Sequence, residues 1–186
     1  KVPSNWTRKI IRTEVLSIHP DFEPPDPDLR SELRKSEREG LEIVLLKSDK
    51  DQRDALALFA NHGKQHQRRF PTSFLTELAG LSKECKDIIW LIARLNGKVV
   101  GSQVFLQFGD LLLYWLSVLD RSAVSAKPAV ALLTDGIRRG ASLGATQCNL
   151  GWSPPSEQGL VDFKKRWVTT QHEYAIYSHT PWWWPR

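Results

Sequence analysis

Three apolar runs, Ile88–Leu95, Lys98–Gln107 and Leu111–Leu119, are joined by Asn96-Gly97 and Gly109-Asp110. Asn-Gly supplies the positive φ angles that a tight hairpin turn demands, so short joints of this kind make the stretch an antiparallel meander. The rest of the chain must attach to that ribbon. Pro128 opens an amphipathic helix through Val130, Leu133, Ile137 and Leu143, closed by Gly144. The next apolar run, Ala145–Leu150, is reached by a helical crossover and is therefore expected to lie parallel to Leu111–Leu119.

Upstream of the meander, Leu41–Leu46 reads as a strand. Asp49 to about Gln67 reads as a helix, with Ala55, Leu58, Phe59 and His62 at helical spacing. A second helix starts at Pro71, carries Phe74, Leu75 and Leu78, and ends at Gly80. Ahead of these, Pro20 and Pro24-Pro25-Asp26-Pro27 interrupt regular structure. Asp28 then serves as N-cap for a helix over Leu29–Glu39, with Gly40 at C′. Its apolar face is thin (Leu29, Leu33). Arg30, Arg34, Lys35 and Arg38 make it either a solvated surface helix or a basic wall facing a cleft. Residues 1–28 read as a connector or remnant strand, with Ile10–Ile18 as the strand. Residues 29–180 form the main domain, ending in a strand over Glu173–Ser178, and 181–186 are an aromatic tail.

Composition narrows the setting. The chain has 186 residues, 41% hydrophobic and 25% charged, which suits one globular domain and excludes disorder. Its net charge of +5 favours anionic partners, a solubilising surface being the alternative. Cys85 in a polar turn and Cys148 in an apolar strand are expected as free thiols of a reducing, cytoplasmic compartment. No apolar run reaches the ~20 residues of a membrane span. Trp182-Trp183-Trp184 beside Arg186 suits either peripheral contact with a membrane headgroup layer or packing on the sheet. His62 and His66 have the spacing of half a metal site, but no carboxylate or cysteine recurs at ligand spacing, so no metal is expected.

The densest chemistry lies in Asn149-Leu150-Gly151-Trp152-Ser153-Pro154-Pro155 and Gly159-Leu160-Val161-Asp162-Phe163-Lys164-Lys165-Arg166-Trp167. This reads as a buried strand, a glycine-containing loop and a short helix with a cationic cluster between two aromatic residues. Ligands of open α/β sheets settle at the carboxyl ends of strands, where such a helix meets anionic or polar substrates. The plain alternative is that Leu160, Phe163 and Trp167 pack while the cations are solvated. Tyr114 and Trp115 point to opposite faces of their strand, so one belongs to the core and the other is free to line a cleft.

This order of elements, β-α-α-β-β-β-α-β-α-β in a mixed α/β sheet, resembles the GNAT acyltransferase fold. Leu33-Arg34-Lys35-Ser36-Glu37-Arg38-Glu39-Gly40-Leu41, Asn96-Gly97-Lys98-Val99-Val100-Gly101, Leu113-Tyr114-Trp115 and Gly159-Leu160-Val161-Asp162-Phe163-Lys164 are similar to its CelD-like and Fem-type branch, in order and spacing over roughly residues 29–178. The resemblance implies an acyltransferase. Fem-type enzymes contain two such domains and move an amino acid from aminoacyl-tRNA onto a cell-wall precursor. Their CelD-like relatives serve polysaccharide or envelope metabolism. On this reading residues 1–28 resemble the last strand and linker of a preceding domain.

The resemblance also implies a site. Lys164 matches the lysine of the family's Phe-Lys dipeptide and would act on a substrate anion or the reaction's oxyanion, with Tyr114 as proton donor. Arg34, Lys35, Arg38, Trp115, Phe163, Lys165 and Arg166 would bind an anionic, amine-bearing envelope precursor. GNAT enzymes that use acetyl-CoA carry Gln/Arg-x-x-Gly-x-Gly/Ala before the crossover helix. Here the segment is Arg121-Ser122-Ala123-Val124-Ser125-Ala126, so Arg121, Ser122 and Ser125 are the donor-contacting candidates. Val124 replaces the middle glycine, and its Cβ opposes close backbone approach. The resemblance implies acyl-CoA or aminoacyl-tRNA as donor, and the Fem-type pattern, which also departs from that loop, is the better comparison. The rival class is a non-catalytic module of the same fold that binds RNA or another polyanion through the same cations. Oligomeric state is left open.

Overall fold

A computed structural model describes residues 6–66, 71–168 and 170–179. They form one seven-stranded sheet with helices on both faces. In chain order the elements are β1 (Trp6–Ser17), α1 (Pro27–Arg38), β2 (Glu42–Leu45), α2 (Asp49–His66) and α3 (Thr72–Glu84). The meander β3 (Ile88–Leu95), β4 (Lys98–Phe108) and β5 (Leu111–Leu119) follows, then α4 (Pro128–Ser142), β6 (Gln147–Trp152), α5 (Gln158–Lys165) and β7 (Thr170–His179). The sheet order is β2-β3-β4-β5-β6-β1-β7. As expected, β5 and β6 are parallel; every other pair is antiparallel.

Strand alternation divides the core in two. On β3, Ile89, Leu91 and Ala93 join Leu132, Leu133 and Ile137 of α4, Leu29 of α1 and Trp167 after α5. Trp90 and Ile92 face the other way, onto Ala55 and Phe59 of α2 and Leu75 and Leu78 of α3. Leu132, Leu133 and Ile137 are fully buried, each stabilising the fold by about 1.5–3 kcal/mol relative to an exposed position. α4 sits close to the sheet because Gly136 and Gly140, one turn apart, leave room for Phe105 and Leu112.

Several boundaries differ from the sequence reading. The N-cap of α1 is Asp26, whose Oδ1 accepts from the Asp28 amide at 2.7 Å, because Pro27 takes the first helical position. α3 continues through Gly80 to Glu84. Gly80 is exposed with nothing near its missing Cβ, so it costs helix propensity without ending the helix. β6 runs to Trp152, with Gly151 inside the strand at φ +72°, because β1 pairs there (Thr13 opposite Trp152). The 1–28 segment supplies β1, which pairs with β6 on one side and β7 on the other. Cys85 is exposed and Cys148 buried, and neither is in a disulfide. Among the described residues no helix is long and apolar enough to cross a membrane. The Trp182–Trp184 tail and the side chain of His66 lie outside the described residues.

Gly136→Ala would place a Cβ 2.2 Å from the Phe105 ring. It should lower stability by roughly 1–3 kcal/mol in denaturant titration. Gly80→Ala has open space and should raise stability by about 0.5–1 kcal/mol.

Candidate active site

The parallel ladder between β5 and β6 covers only Leu111–Leu113 against Gln147–Asn149. Beyond it β5 continues to Leu119 while β6 stays paired only with β1, as far as Trp152, so the two strands part at their carboxyl ends. A bulge on β5 lies at this point: Val104 is opposite Leu116 and Phe105 opposite Tyr114, leaving Trp115 as the extra residue.

Lys164, in the last turn of α5, reaches into this opening. It is only 2% exposed. Its Nζ donates to the Gly151 carbonyl at 2.9 Å and the Trp152 carbonyl at 3.4 Å, and stands 5.9 Å from the centroid of the Tyr114 ring. Burial pulls its pKa from 10.5 down to about 8, opposed by the carboxylates of Glu14 and Glu157. Because the folded value lies below the unfolded one, the buried charge costs stability up to about pH 8, and that cost shrinks as pH rises toward 10.5. Chemically, the arrangement offers a positive charge in a site of low water content, where it acts most strongly on a developing oxyanion or a bound anion.

Tyr114 lies on the same face, its ring 5.7 Å from that of Phe105. Burial raises its pKa above 10, with the Ser117 side chain opposing, so at neutral pH it holds its proton and is able to donate a hydrogen bond. Trp115 points to the opposite face and packs edge-on against Phe74 of α3 at 5.9 Å. Phe163 is half-buried against Trp167 at 5.8 Å, and Trp167 in turn stacks on Phe22.

The other expected cations do not converge on the opening. Lys165 is exposed and lies 3.9 Å from Asp162. Arg166 turns to α1 and meets Asp26 at 3.4 Å and Glu32 at 3.5 Å; Glu32 also receives Lys127 at 3.0 Å. Arg166, Lys35 and Arg38 share a shallow cleft of about 450 Å³ with Asp28, Ser31 and Glu32, whereas Arg34 is exposed outside its lining. A larger cavity of about 930 Å³ lies at the opposite end of the sheet, where β3 begins. Three of its cations already have partners: Lys83 with Asp49, Arg139 with Asp135, and Arg138 with the Phe22 carbonyl. Among the described residues no group of three His, Cys, Asp or Glu side chains could hold a metal. One buried acid escaped the sequence reading: Glu14, 6% exposed, in the β1 segment read as a connector. Only its partner strands reveal it.

The segment Arg121–Ala126 is a short 3-10 helix, and its donors are largely spent. The Asp120 carboxylate takes both the amide of Ser122 at 2.9 Å and its hydroxyl at 2.7 Å. Lys98 holds Asp120 at 2.9 Å, and together these partners lower its pKa to about 2. Arg121, Ser122 and Ser125 are all exposed. α4 begins with Pro128, which has no amide hydrogen, and the amide of Val130 bonds the Lys127 carbonyl. An ionised carboxylate thus already takes donors of the segment that would have to serve a CoA pyrophosphate, and the residues present fit that group poorly.

The profile described as Acetyltransferase (GNAT) domain matches residues 27–165. The chain belongs to the GNAT acetyltransferase family. Its solved structural neighbours share the fold. FemX superposes with a TM-score of 0.68 at 11% identity, covering 88% of this chain and 61% of FemX. A C-terminal domain (DUF2156) from Agrobacterium fabrum, assigned to a lysylphosphatidylglycerol synthetase, gives a TM-score of 0.65 at 14% identity, covering 94% of this chain and 61% of that one. An aminoglycoside acetyltransferase from an uncultured soil metagenomic sample, in complex with sisomicin, gives 0.53 at 14% identity, covering 67% and 84%. Identities this low show shared fold alone. The GNAT domain thus spans about three fifths of the length of the first two neighbours. No curated protein matches the chain in sequence.

Calorimetry should find weak or no binding of acetyl-CoA to this chain; tight, stoichiometric binding would contradict the reading of the Arg121–Ala126 segment.

Proposed function

We propose that this GNAT domain transfers an acyl or aminoacyl group to the amine of an anionic envelope precursor, with aminoacyl-tRNA as donor. One observation carries the reading: the ammonium of Lys164, buried where β5 and β6 part. The spent donors before α4 weigh against a CoA thioester, and the Fem-type resemblance and FemX-like fold support an aminoacyl ester in its place. In such a transfer the acceptor nitrogen bonds to the acyl carbon as the ester C–O bond breaks. One proton passes from nitrogen to the leaving oxygen. Lys164 would stabilise the oxyanion between those events, and the protonated Tyr114 would supply a hydrogen bond on the same side. Residues Lys35 and Arg38, in the cleft beside α1, would hold the precursor's anionic part. Peripheral membrane contact belongs to the same reading, since an envelope precursor presents its amine near a membrane.

A polyanion-binding module receives less support from the surface. Lys164 is buried, Arg166 faces carboxylates and Lys165 stands beside Asp162, so the cluster does not form one basic face.

The test is aminoacyl transfer from charged tRNA to an amine-bearing precursor. Lys164→Ala removes one charge-assisted hydrogen bond and should cost about ten- to a hundredfold in rate, or roughly 1.5–3 kcal/mol. Lys165→Ala should cost distinctly less. Arg166→Ala should act on stability more than on rate, through its contacts with Asp26 and Glu32. The wild-type rate should fall above about pH 8, where Lys164 loses its proton. Equal, small effects at positions 164 and 165 would end this proposal.

A further inference from the structure

Glu14 is a buried acid whose Oε2 has no hydrogen-bond partner among the described residues. An ionised carboxylate so placed is costly unless an opposite charge lies nearby. The pairing of β1 with β6 shifts register between Thr13 and Val15, which puts Glu14 at a bulge facing the stretch from Asn149 to Trp152. That stretch holds both carbonyls that accept from Lys164. Leu16 and Ile18, which share the alternation of Glu14, belong to the cluster that contains Trp167, so Glu14 faces the side of the sheet on which α5 lies. Two further polar atoms at this strand end, Thr13 Oγ1 and Ser153 Oγ, are buried without partners among the described residues, as is Trp167 Nε1 after α5. The strand end is thus polar and only partly satisfied, which is more characteristic of a working site than of a structural core.

We infer that Glu14 is a positioning residue of the transferase site: it holds Lys164 as an ammonium seated between β5 and β6. The inference rests on the reading of Lys164 as the acting cation. With only two carbonyls and an aromatic ring around it, a lysine this buried sheds its proton readily. The titratable and charged groups facing Lys164 are Glu14 from β1, Tyr114 from β5 and Glu157 ahead of α5. Its neighbours on the helix, Lys165 and Arg166, are directed to Asp162 and to α1. Burial lowers the proton affinity of Lys164, and with Tyr114 neutral at working pH it is the carboxylates that oppose this, Glu14 more than Glu157.

The experiment follows Lys164 itself by NMR, using protein labelled with ¹³C and ¹⁵N at lysine side chains and with Lys164→Arg to assign the signal. In the wild type its titration midpoint should lie near pH 8. Glu14→Gln should lower that midpoint by about one unit, a tenfold loss of ammonium at a given pH above it, and Glu157→Gln by less. The alkaline limb of the transfer rate should move down by the same amount. An unmoved midpoint in Glu14→Gln, an equal or larger shift in Glu157→Gln, or a shifted midpoint with an unmoved rate limb would overturn the inference. Should Glu14→Gln fold poorly, thermal melts of Glu14→Gln, Lys164→Met and the double variant decide. Coupled charges predict that the double variant loses less than the sum of the two single losses, and additive losses refute the pairing. The NMR and melting arms need no turnover. Loss of transfer in Lys164→Ala without any coupling to Glu14 would therefore leave the proposed function standing and remove only this inference.

Discussion

Where β6 leaves β5, the hydrogen bonds between these two strands run out, and on that side one side chain takes their place. Gly151 adopts φ +72°, and the carbonyls of Gly151 and Trp152 both turn toward the Lys164 ammonium. Buried carbonyls without donors would cost as much as lost hydrogen bonds, so the strand end needs a donor there. The same donor supplies the positive charge on which the proposed chemistry depends. Structure and chemistry therefore share one group, and its burial is affordable only because two carboxylates and an aromatic ring lie within range.

On the same face of the sheet as Lys164, α4 packs against the paired end of β5. Phe105 and Leu112 occupy the space left by Gly136 and Gly140, and Leu112 lies in the short stretch where β5 and β6 are still paired. α4 therefore holds β5 where it is still paired with β6. Close-packed interiors transmit such constraints, because a change of one methyl group is felt by its neighbours. The bulge at Trp115 adds local twist to β5 at the level where pairing stops.

What could be read from the sequence was local. The hairpin turns at Asn96-Gly97 and Gly109-Asp110, the crossover helix after Pro128 and the parallel strand beyond it depend on neighbours within a few residues or on a chirality rule, and all are present. The divergence of Lys164, Lys165 and Arg166 likewise follows from 3.6 residues per turn. What escaped depends on partners far along the chain. β1 becomes an interior strand only through β6 and β7, so Glu14 had no recognisable context within its own segment. Arg166 looked like a substrate cation because Asp26 and Glu32 lie on an element more than a hundred residues earlier. The helix start at Asp26 was hidden for a nearer reason: two acids flank Pro27, and only geometry distinguishes the cap from the first-turn residue.

The segment before α4 shows how a sequence argument can reach a conclusion by a weaker route than the structure does. The sequence argument concerned bulk, since Val124 lacks the freedom of glycine and its Cβ opposes a close approach. Yet Val124 is 51% exposed, and a side chain directed to solvent need not obstruct a ligand. Charge and donor supply are the stronger objections. Asp120 accepts two hydrogen bonds from Ser122 and is paired with Lys98, and its pKa of about 2 keeps it ionised at any physiological pH. A pyrophosphate arriving there would meet a fixed negative charge and amides already in use, a penalty that restoring a glycine at position 124 would not remove. On the proposed reading it is Asp120, one residue past the end of β5, and not Val124 that weighs most against a CoA-borne donor.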